Sequence, residues 1–254
     1  PSCDRVEYAT TRLMSFCTRP TEAAKKAVIA PSERSAPLPS TWTLLTTSST
    51  TTTSPAPPSP PRGLYISNYA IGRLNVWNGT GLDTPFDAPL GLTGLAWHND
   101  ILYIANSING TISSWDGSTR TDNVISGLSG PMALTWYANT LYIANTDGGT
   151  VSRWDGVNPP QDLLMAMPGP AGLAWHGGVL YVANSNDNSV GMWDGTSFTP
   201  NVVTGLSYPA ALAWNGSTLY IANSGNGTVS TWDGTTTTHG AITGLTNPIW
   251  LAWY

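Results

Sequence analysis

The chain has 254 residues, only 10% of them charged, and its formal net charge is −5 at pH 7. Residues 62–254 contain four Arg, eleven Asp and no Lys, so this part offers no basic groove to a phosphate backbone and we expect no nucleic-acid binding. No apolar run approaches the roughly 20 residues that a membrane-spanning helix needs, so we expect no membrane span.

The first segment, residues 1–39, contains both cysteines of the chain. Cys3 and Cys17 enclose thirteen residues, a loop that a disulfide could close, and two free thiols are the alternative. Their restriction to the region ahead of the repeats suits an oxidising compartment. We therefore predict a Cys3–Cys17 disulfide in an extracellular protein.

Residues 40–62 form a linker that is rich in Ser, Thr and Pro. Twelve of the fifteen residues from 40 to 54 are Ser or Thr, and they run into Ser-Pro-Ala-Pro-Pro-Ser-Pro-Pro at residues 54–61. This composition cannot build a core and favours an extended or polyproline conformation. An unmodified flexible linker is one interpretation of it.

The same linker resembles the stalks of the hydroxyproline-rich wall glycoproteins of plants and green algae. That resemblance implies modified side chains and a place outside the cell. The candidates for O-glycosylation are Thr46, Thr47, Ser48, Ser49, Thr50, Thr51, Thr52, Thr53, Ser54 and Ser59, and those for hydroxyproline are Pro55, Pro57, Pro58, Pro60 and Pro61.

Residues 63–254 contain five repeats with a period of 38 or 39 residues. In the clearest copy, Leu219–Asn223 and Thr228–Trp232 have the composition of strands, and turn residues separate them. Further short strands are expected near 241–243 and 248–253. Four short antiparallel strands per period predict an all-β fold, a β-propeller of four-stranded blades. Two Trp series mark the repeats: Trp77, Trp115, Trp154, Trp193 and Trp232, and Trp97, Trp136, Trp175, Trp214 and Trp253.

The run Leu-Tyr-Ile-Ala-Asn-Ser-Gly-Asn-Gly-Thr-Val-Ser, residues 219–230, resembles the core of the NHL and YVTN propeller repeats. The resemblance covers residues 63–254 and implies a propeller. It does not select a function, because members of those families include enzymes, binding platforms and surface-layer components. The chain departs from them in its Trp-Asp-Gly turn and its few charges.

The strand order predicts how the ring closes. The repeats begin with the second strand of a blade and end with a first strand at Trp253, so this last strand can complete the first blade and close a ring of five. A competing first strand exists, because Pro37 and Trp42 have the same spacing as Pro248 and Trp253. If that copy is used, the C-terminal strand is free to pair elsewhere.

Four sequons lie at predicted turns and are candidates for N-glycosylation. An Asn also ends the second strand of every repeat, where five amides form a candidate ligand ring or, alternatively, bond to the turns that follow them. The sequon residues are Asn78, Asn109, Asn215 and Asn226, and the amide series is Asn68, Asn106, Asn145, Asn184 and Asn223.

We find no set of nucleophile, base and orienting group in the repeats, and we expect no enzyme, no metal and no cofactor. The Asp residues of the Trp-Asp-Gly turns are expected to bond to their own backbone, and His98 and His176 to face solvent in turns. The preferred interpretation is a non-enzymatic extracellular glycoprotein that assembles a fibre, wall or surface layer with copies of itself, through its N-terminal tail. The alternatives are a multivalent lectin whose equivalent pockets between blades use the repeated Trp and Asn, and third an enzyme of the lactonase or lyase kind.

Overall fold

A computed structural model describes residues 63–78 and 80–251, and the backbone of residues 5–6 and 14–15. The chain divides into two compact units, residues 1–53 and 54–254. In the first unit, strand β1 (Arg5–Val6) pairs antiparallel with β2 (Met14–Ser15). Cys3, Cys17 and all candidates for O-glycosylation and hydroxyproline lie outside the described residues, so those assignments stay predictions.

The second unit is a five-bladed β-propeller of antiparallel sheets, as the repeats predicted. Blade 1 has β3 (Leu64–Asn68), β4 (Arg73–Trp77) and β5 (Leu82–Asp87). Blade 2 has β6 (Leu92–His98), β7 (Ile101–Asn106), β8 (Thr111–Trp115) and β9 (Arg120–Ile125). Blade 3 has β10 (Pro131–Tyr137), β11 (Thr140–Asn145), β12 (Thr150–Trp154) and β13 (Gln161–Leu164). Blade 4 has β14 (Pro170–His176), β15 (Val179–Asn184), β16 (Ser189–Trp193) and β17 (Phe198–Val203). Blade 5 has β18 (Pro209–Asn215), β19 (Thr218–Asn223), β20 (Thr228–Trp232) and β21 (Thr237–Ile242).

In blades 2 to 5 we call the four strands a, b, c and d in chain order, and β3, β4 and β5 of blade 1 correspond to b, c and d. Because each blade is an antiparallel meander, its b–c turn and the d–a loop that follows lie at one end of the strands. The a–b and c–d turns lie at the other end. This arrangement decides which repeated residues can meet.

The core lies between blades rather than within one. In the cluster between blades 3 and 4, Ala133 and Val151 pack with Leu173, Leu180 and Val182 from the next blade. Apolar residues occupy both faces of the inner strands because each blade packs against two neighbours. This explains why the Leu-Tyr-Ile-Ala and Leu-Ala-Trp runs do not alternate with polar residues.

Hydroxyl groups also join neighbouring blades. Thr146 donates a hydrogen bond from Oγ1 to the carbonyl of Pro170 at 2.6 Å, and Ser185 donates from Oγ to that of Pro209 at 2.9 Å. Each donor follows the last residue of strand b, and each acceptor begins strand a of the next blade. The repeat therefore encodes a polar contact between blades as well as an apolar one.

Blade 1 has no assigned strand a among the described residues, and its apolar side chains show the difference. Leu64 is 59% exposed, whereas the equivalent Leu141 in blade 3 is 0% exposed. In blade 5, the exposed Ile242 corresponds to the buried Val203 of blade 4. Residues 248–251 are not in a strand, and 252–254 lie outside the described residues, so closure by the C-terminal strand stays a prediction.

One residue of that C-terminal copy departs from the pattern of strand a. The third position of the strand is Gly94, Ala133, Gly172 and Ala211 in blades 2 to 5, and Trp250 in the last copy. A Cβ on Gly172 would lie 3.0 Å from the Cα of Ala211, so little room separates the inner strands of neighbouring blades. An indole at this position needs a wider gap than the other blades provide.

Among residues 63–78 and 80–251 there is no helix of the length and apolar character that crossing a membrane requires.

Candidate functional site

The Asn residues that end strand b are mostly buried. Asn106, Asn145, Asn184 and Asn223 are 1–4% exposed. Asn145 donates from Nδ2 to Oγ1 of Thr150 at 3.0 Å and to Oγ of Ser152 at 2.7 Å, both on the next strand of its own blade. Asn223 donates in the same way to Thr228 and Ser230 in blade 5. The Oδ1 atoms of Asn145 and Asn184 are buried and make no hydrogen bond, so the ligand ring and the structural interpretation both stay predictions.

The Trp of strand a lies in an aromatic cluster between two blades. Trp214 of blade 5 stacks on His176 of blade 4, with ring centroids 4.1 Å apart and planes 15° apart. Tyr181 and Trp232 contact the same indole edge-on, at 5.0 and 6.2 Å. The indole Nε1 is buried and makes no hydrogen bond. Packing therefore holds this Trp, and one of its faces is covered.

The same stack recurs between the other complete blades. His98 stacks on Trp136 at 4.0 Å, and Tyr137 stacks on Trp175 at 4.1 Å. The two histidines were expected to face solvent in turns; His176 is exposed and His98 is partly buried, each ends a strand a, and both also serve with Tyr137 as planar partners of the next blade's Trp. The sequence contained a signal for this stack. A residue with a planar ring, His98 or Tyr137, directly follows the strand-a Trp and precedes the Trp on which it stacks by 38 residues.

The register places the Trp and Asn of one blade at opposite ends of its sheet. In blade 4, Trp175 pairs with Leu180, and Asn184 pairs with Pro170. The repeated Trp and the repeated Asn of this blade therefore cannot line one pocket within it, whereas the lectin alternative places its pockets between blades.

The Asp residues of the Trp-Asp-Gly turns bond to their own turns. Asp155 accepts at Oδ1 from the backbone N–H of Val157 and Asn158, at 2.9 and 2.8 Å, and at Oδ2 from the Asn158 side chain. These donors, the Asn158 amide first, lower the pKa of Asp155 to about 2. Similar bonds lower the pKa of Asp116, Asp194 and Asp233. The carboxylates stabilise turns and do not converge.

All four sequon asparagines are exposed, and each lies in or next to a turn. Two sequons also contain the bond between their first and third residues. Thr80 donates from Oγ1 to Oδ1 of Asn78 at 3.0 Å, and Thr228 donates to Asn226 at 2.8 Å. Asn109 and Asn226 lie at the end of the blades that bears the b–c turns, and Asn78 and Asn215 at the other end. The described structure leaves every one of these side chains open to attachment of a glycan.

A cavity of about 120 Å³ lies between blades 1 and 2. Phe86, Pro89 and Ile104 give it apolar walls, and Arg120 and Asp122 lie at its polar side. Arg120 bonds to Asp122 through Nη2 at 2.8 Å and lies over the Phe86 ring. No sequence pattern indicated this cavity, because its residues belong to two repeats and to no common motif.

An exposed apolar patch lies next to the cavity. It is at the end of the blades where the b–c turns lie. It consists of Tyr69, Ile71, Leu90 and Ile108, each more than half exposed. We call these four side chains the blade 1–2 patch. Within residues 63–78 and 80–251, no three His, Cys, Asp or Glu side chains come close enough together to hold a metal ion.

No protein-family model and no curated protein matches the chain. Among solved structures, a chain of a nidogen/laminin complex is 17% identical over 71% of this chain and 78% of its own, with a TM-score of 0.60. A gluconolactonase from Xanthomonas campestris is 17% identical over 69% of this chain and 70% of its own, with a TM-score of 0.59. A virginiamycin B lyase from Staphylococcus aureus is 16% identical over 66% of this chain and 61% of its own, with a TM-score of 0.54. At this identity the likeness shows a shared fold.

The expectation that the chain is not an enzyme was wrong as an inference from its repeats. Two of these neighbours in structure are a gluconolactonase and a lyase, so this fold carries catalysis in other proteins. The expectation considered the reactive side chains that recur in the repeats. A propeller brings together side chains from several blades, and residues that differ between repeats escape such a search.

Proposed function

We propose that this chain is an extracellular glycoprotein whose propeller is a rigid unit in an assembly of identical copies, joined by the residues that precede it. The observation that carries the proposal is the apolar surface of blade 1 and its boundary with blade 2. Leu64, Tyr69, Ile71 and Leu90 are all more than half exposed there. Exposed apolar side chains concentrated in one region of a soluble domain mark interaction surfaces.

Charge supports a contact between the N-terminal residues and a propeller. Residues 1–61 contain six basic and four acidic side chains, whereas residues 62–254 contain four Arg and eleven Asp. A net charge of +2 in one part and −7 in the other, obtained by subtraction, favours encounter between the tail of one copy and the propeller of another. The four exposed sequons support a place outside the cell.

The test compares the full chain with a variant in which residues 1–62 are scrambled at constant composition. Sedimentation velocity and negative-stain electron microscopy measure the size of the assemblies, and far-UV circular dichroism checks the propeller. We expect the full chain to form polymers and the scrambled chain to remain a folded monomer. Polymers of unchanged size in the scrambled variant would refute the proposal.

A further inference from the structure

The blade 1–2 patch is one continuous surface. The N–H of Gly91 donates to the carbonyl of Tyr69 at 3.0 Å, which holds Leu90 beside the b–c turn of blade 1. A Cβ on Gly91 would lie 2.7 Å from the Ile108 side chain, so the b–c turn of blade 2 lies against the same loop. Gly91 has a φ of 96°, a conformation that favours glycine, and a larger residue here would push Ile108 away.

The patch breaks the repeat of the propeller. At the position of Leu90, the other d–a loops have Ser129, Pro168, Ser207 and Thr246. At the position of Ile108, blades 3 to 5 have Asp147, Asn186 and Gly225. Turn residues are ordinarily polar because they face water, so four large apolar side chains on two b–c turns and the d–a loop between them indicate a partner that removes them from water.

The chain itself contains a segment with the matching chemistry. Residues 54–61 read Ser-Pro-Ala-Pro-Pro-Ser-Pro-Pro. Polyproline II needs no internal hydrogen bonds, and proline-rich segments in this conformation dock on surfaces lined by aromatic and aliphatic side chains at a small entropic cost. Tyr69 supplies the aromatic ring, and Ile71, Leu90 and Ile108 supply the aliphatic surface.

Chain length favours a second copy as the source of the segment. It is joined to the propeller at the start of β3, whereas Tyr69 follows the end of β3. The five residues of β3 span about 13 Å, and eight residues of polyproline II span about 25 Å. In its own copy the segment would have to reverse at residues 62–63 and use about half its length to reach Tyr69. A second copy can place the whole segment on the patch.

We infer that the blade 1–2 patch binds the proline-rich segment, residues 54–61, of a second copy of this chain. The inference rests on the proposed assembly through the N-terminal residues and assigns its acceptor surface. The cavity lies alongside, because Ala88 and Pro89, which precede Leu90, line it. Asn109 follows Ile108 of the patch and lines the cavity, so a glycan on this residue would lie beside the bound segment.

The experiment measures binding of a fluorescent peptide of residues 52–62, with unmodified prolines, to the full chain by fluorescence anisotropy. The double variant Leu90→Ser with Ile108→Asn gives the patch the residues found in other blades. Loss of this apolar contact should weaken the peptide about tenfold or more. The matched control is Val157→Ser, an exposed apolar residue of a c–d turn at the other end of the blades. Its Kd should equal that of the unaltered chain.

Sedimentation velocity of the same full-length variants completes the test. Polymers lost in the patch variant and kept in the Val157 control support the inference. The inference would be overturned if the patch variant kept its polymers and its peptide binding unchanged. If scrambling of residues 1–62 still abolished polymers, the proposed assembly would remain supported. Polymers that survive scrambling would overturn both. Peptide binding that appears only after Asn109→Gln would show that a glycan occupies the patch, which also overturns the inference.

Discussion

Two equivalent leucines give a direct test of the uncovered edge of blade 1. Leu64 and Leu141 occupy the same position in the second strand of a blade and pair with the Trp that ends the third, Trp77 and Trp154. They differ in environment, because Leu64 is 59% exposed and Leu141 is fully buried. The perturbation is the same in both cases, Leu→Ala in the full chain.

The expected costs differ by several-fold. Truncation of a fully buried Leu loses its transfer free energy and leaves a cavity, and together these cost about 2–5 kcal/mol, which we expect for Leu141→Ala. Complete burial of a Leu side chain stabilises a protein by about 1.5–3 kcal/mol. Less than half of Leu64 is buried, and no neighbours in the described part of the chain enclose it, so its truncation leaves no cavity. We therefore expect Leu64→Ala to cost about 1 kcal/mol or less.

Equilibrium urea unfolding, followed by Trp fluorescence, measures both free energies from the midpoints and slopes. Equal costs at the two positions would refute the reasoning, because a further strand would then cover β3. The variant Trp250→Ala tests whether the C-terminal copy of strand a is the covering strand, because it places at the third position a small residue like those of blades 2 to 5. If residues 248–253 are the cover, this substitution stabilises the chain, and a stabilisation that depends on protein concentration would assign the strand to a second copy.

Three further predictions follow from the stacks, turns and sequons. His176→Ala should lower the free energy of unfolding by about 0.5–1.5 kcal/mol, because it removes the ring stacked on Trp214. His176→Tyr should be nearly neutral, because Tyr137 makes the same stack on Trp175. Urea unfolding measures both, and equal costs would contradict the role of the ring. Since its folded pKa of about 2 is below the ordinary 3.8, Asp155 adds stability that is complete above about pH 4 and is lost as the pH falls towards 2. Asp155→Asn should flatten this part of a melting-temperature profile, and a profile as steep as that of the unaltered chain would count against the assignment. Intact mass before and after enzymatic deglycosylation should fall by whole glycans, and the loss should shrink with each Asn→Gln change; a mass equal to that of the bare polypeptide would rule out the four sites, Asn78, Asn109, Asn215 and Asn226.

The sequence predicted the propeller because each strand is marked by the same few residues five times. Leu180 and Val182 lie in the core for the reason that their repeat partners do, and turn residues, Gly at most turns and Asn188 at one, separate the strands. The contacts between blades were harder to predict, because His176 meets Trp214 only after two different blades have formed. The blade 1–2 patch was not predicted for the opposite reason. Leu90 and Ile108 depart from the repeat, and a periodic pattern gives no information about residues that depart from it.

The stack between blades has a geometric consequence. Each blade presents one surface to the blade before it, with Trp214 as an example, and a different surface to the blade after it, as His176 does. Such a head-to-tail joint is heterologous, and heterologous contacts have no intrinsic end: they give a ring when the rotation per step closes and an open helix when it does not. Blade number is therefore set by rotation per step and not by the chemistry of the joint. The exposed Leu64 and Ile242 belong to the two half-joints at which this series begins and stops.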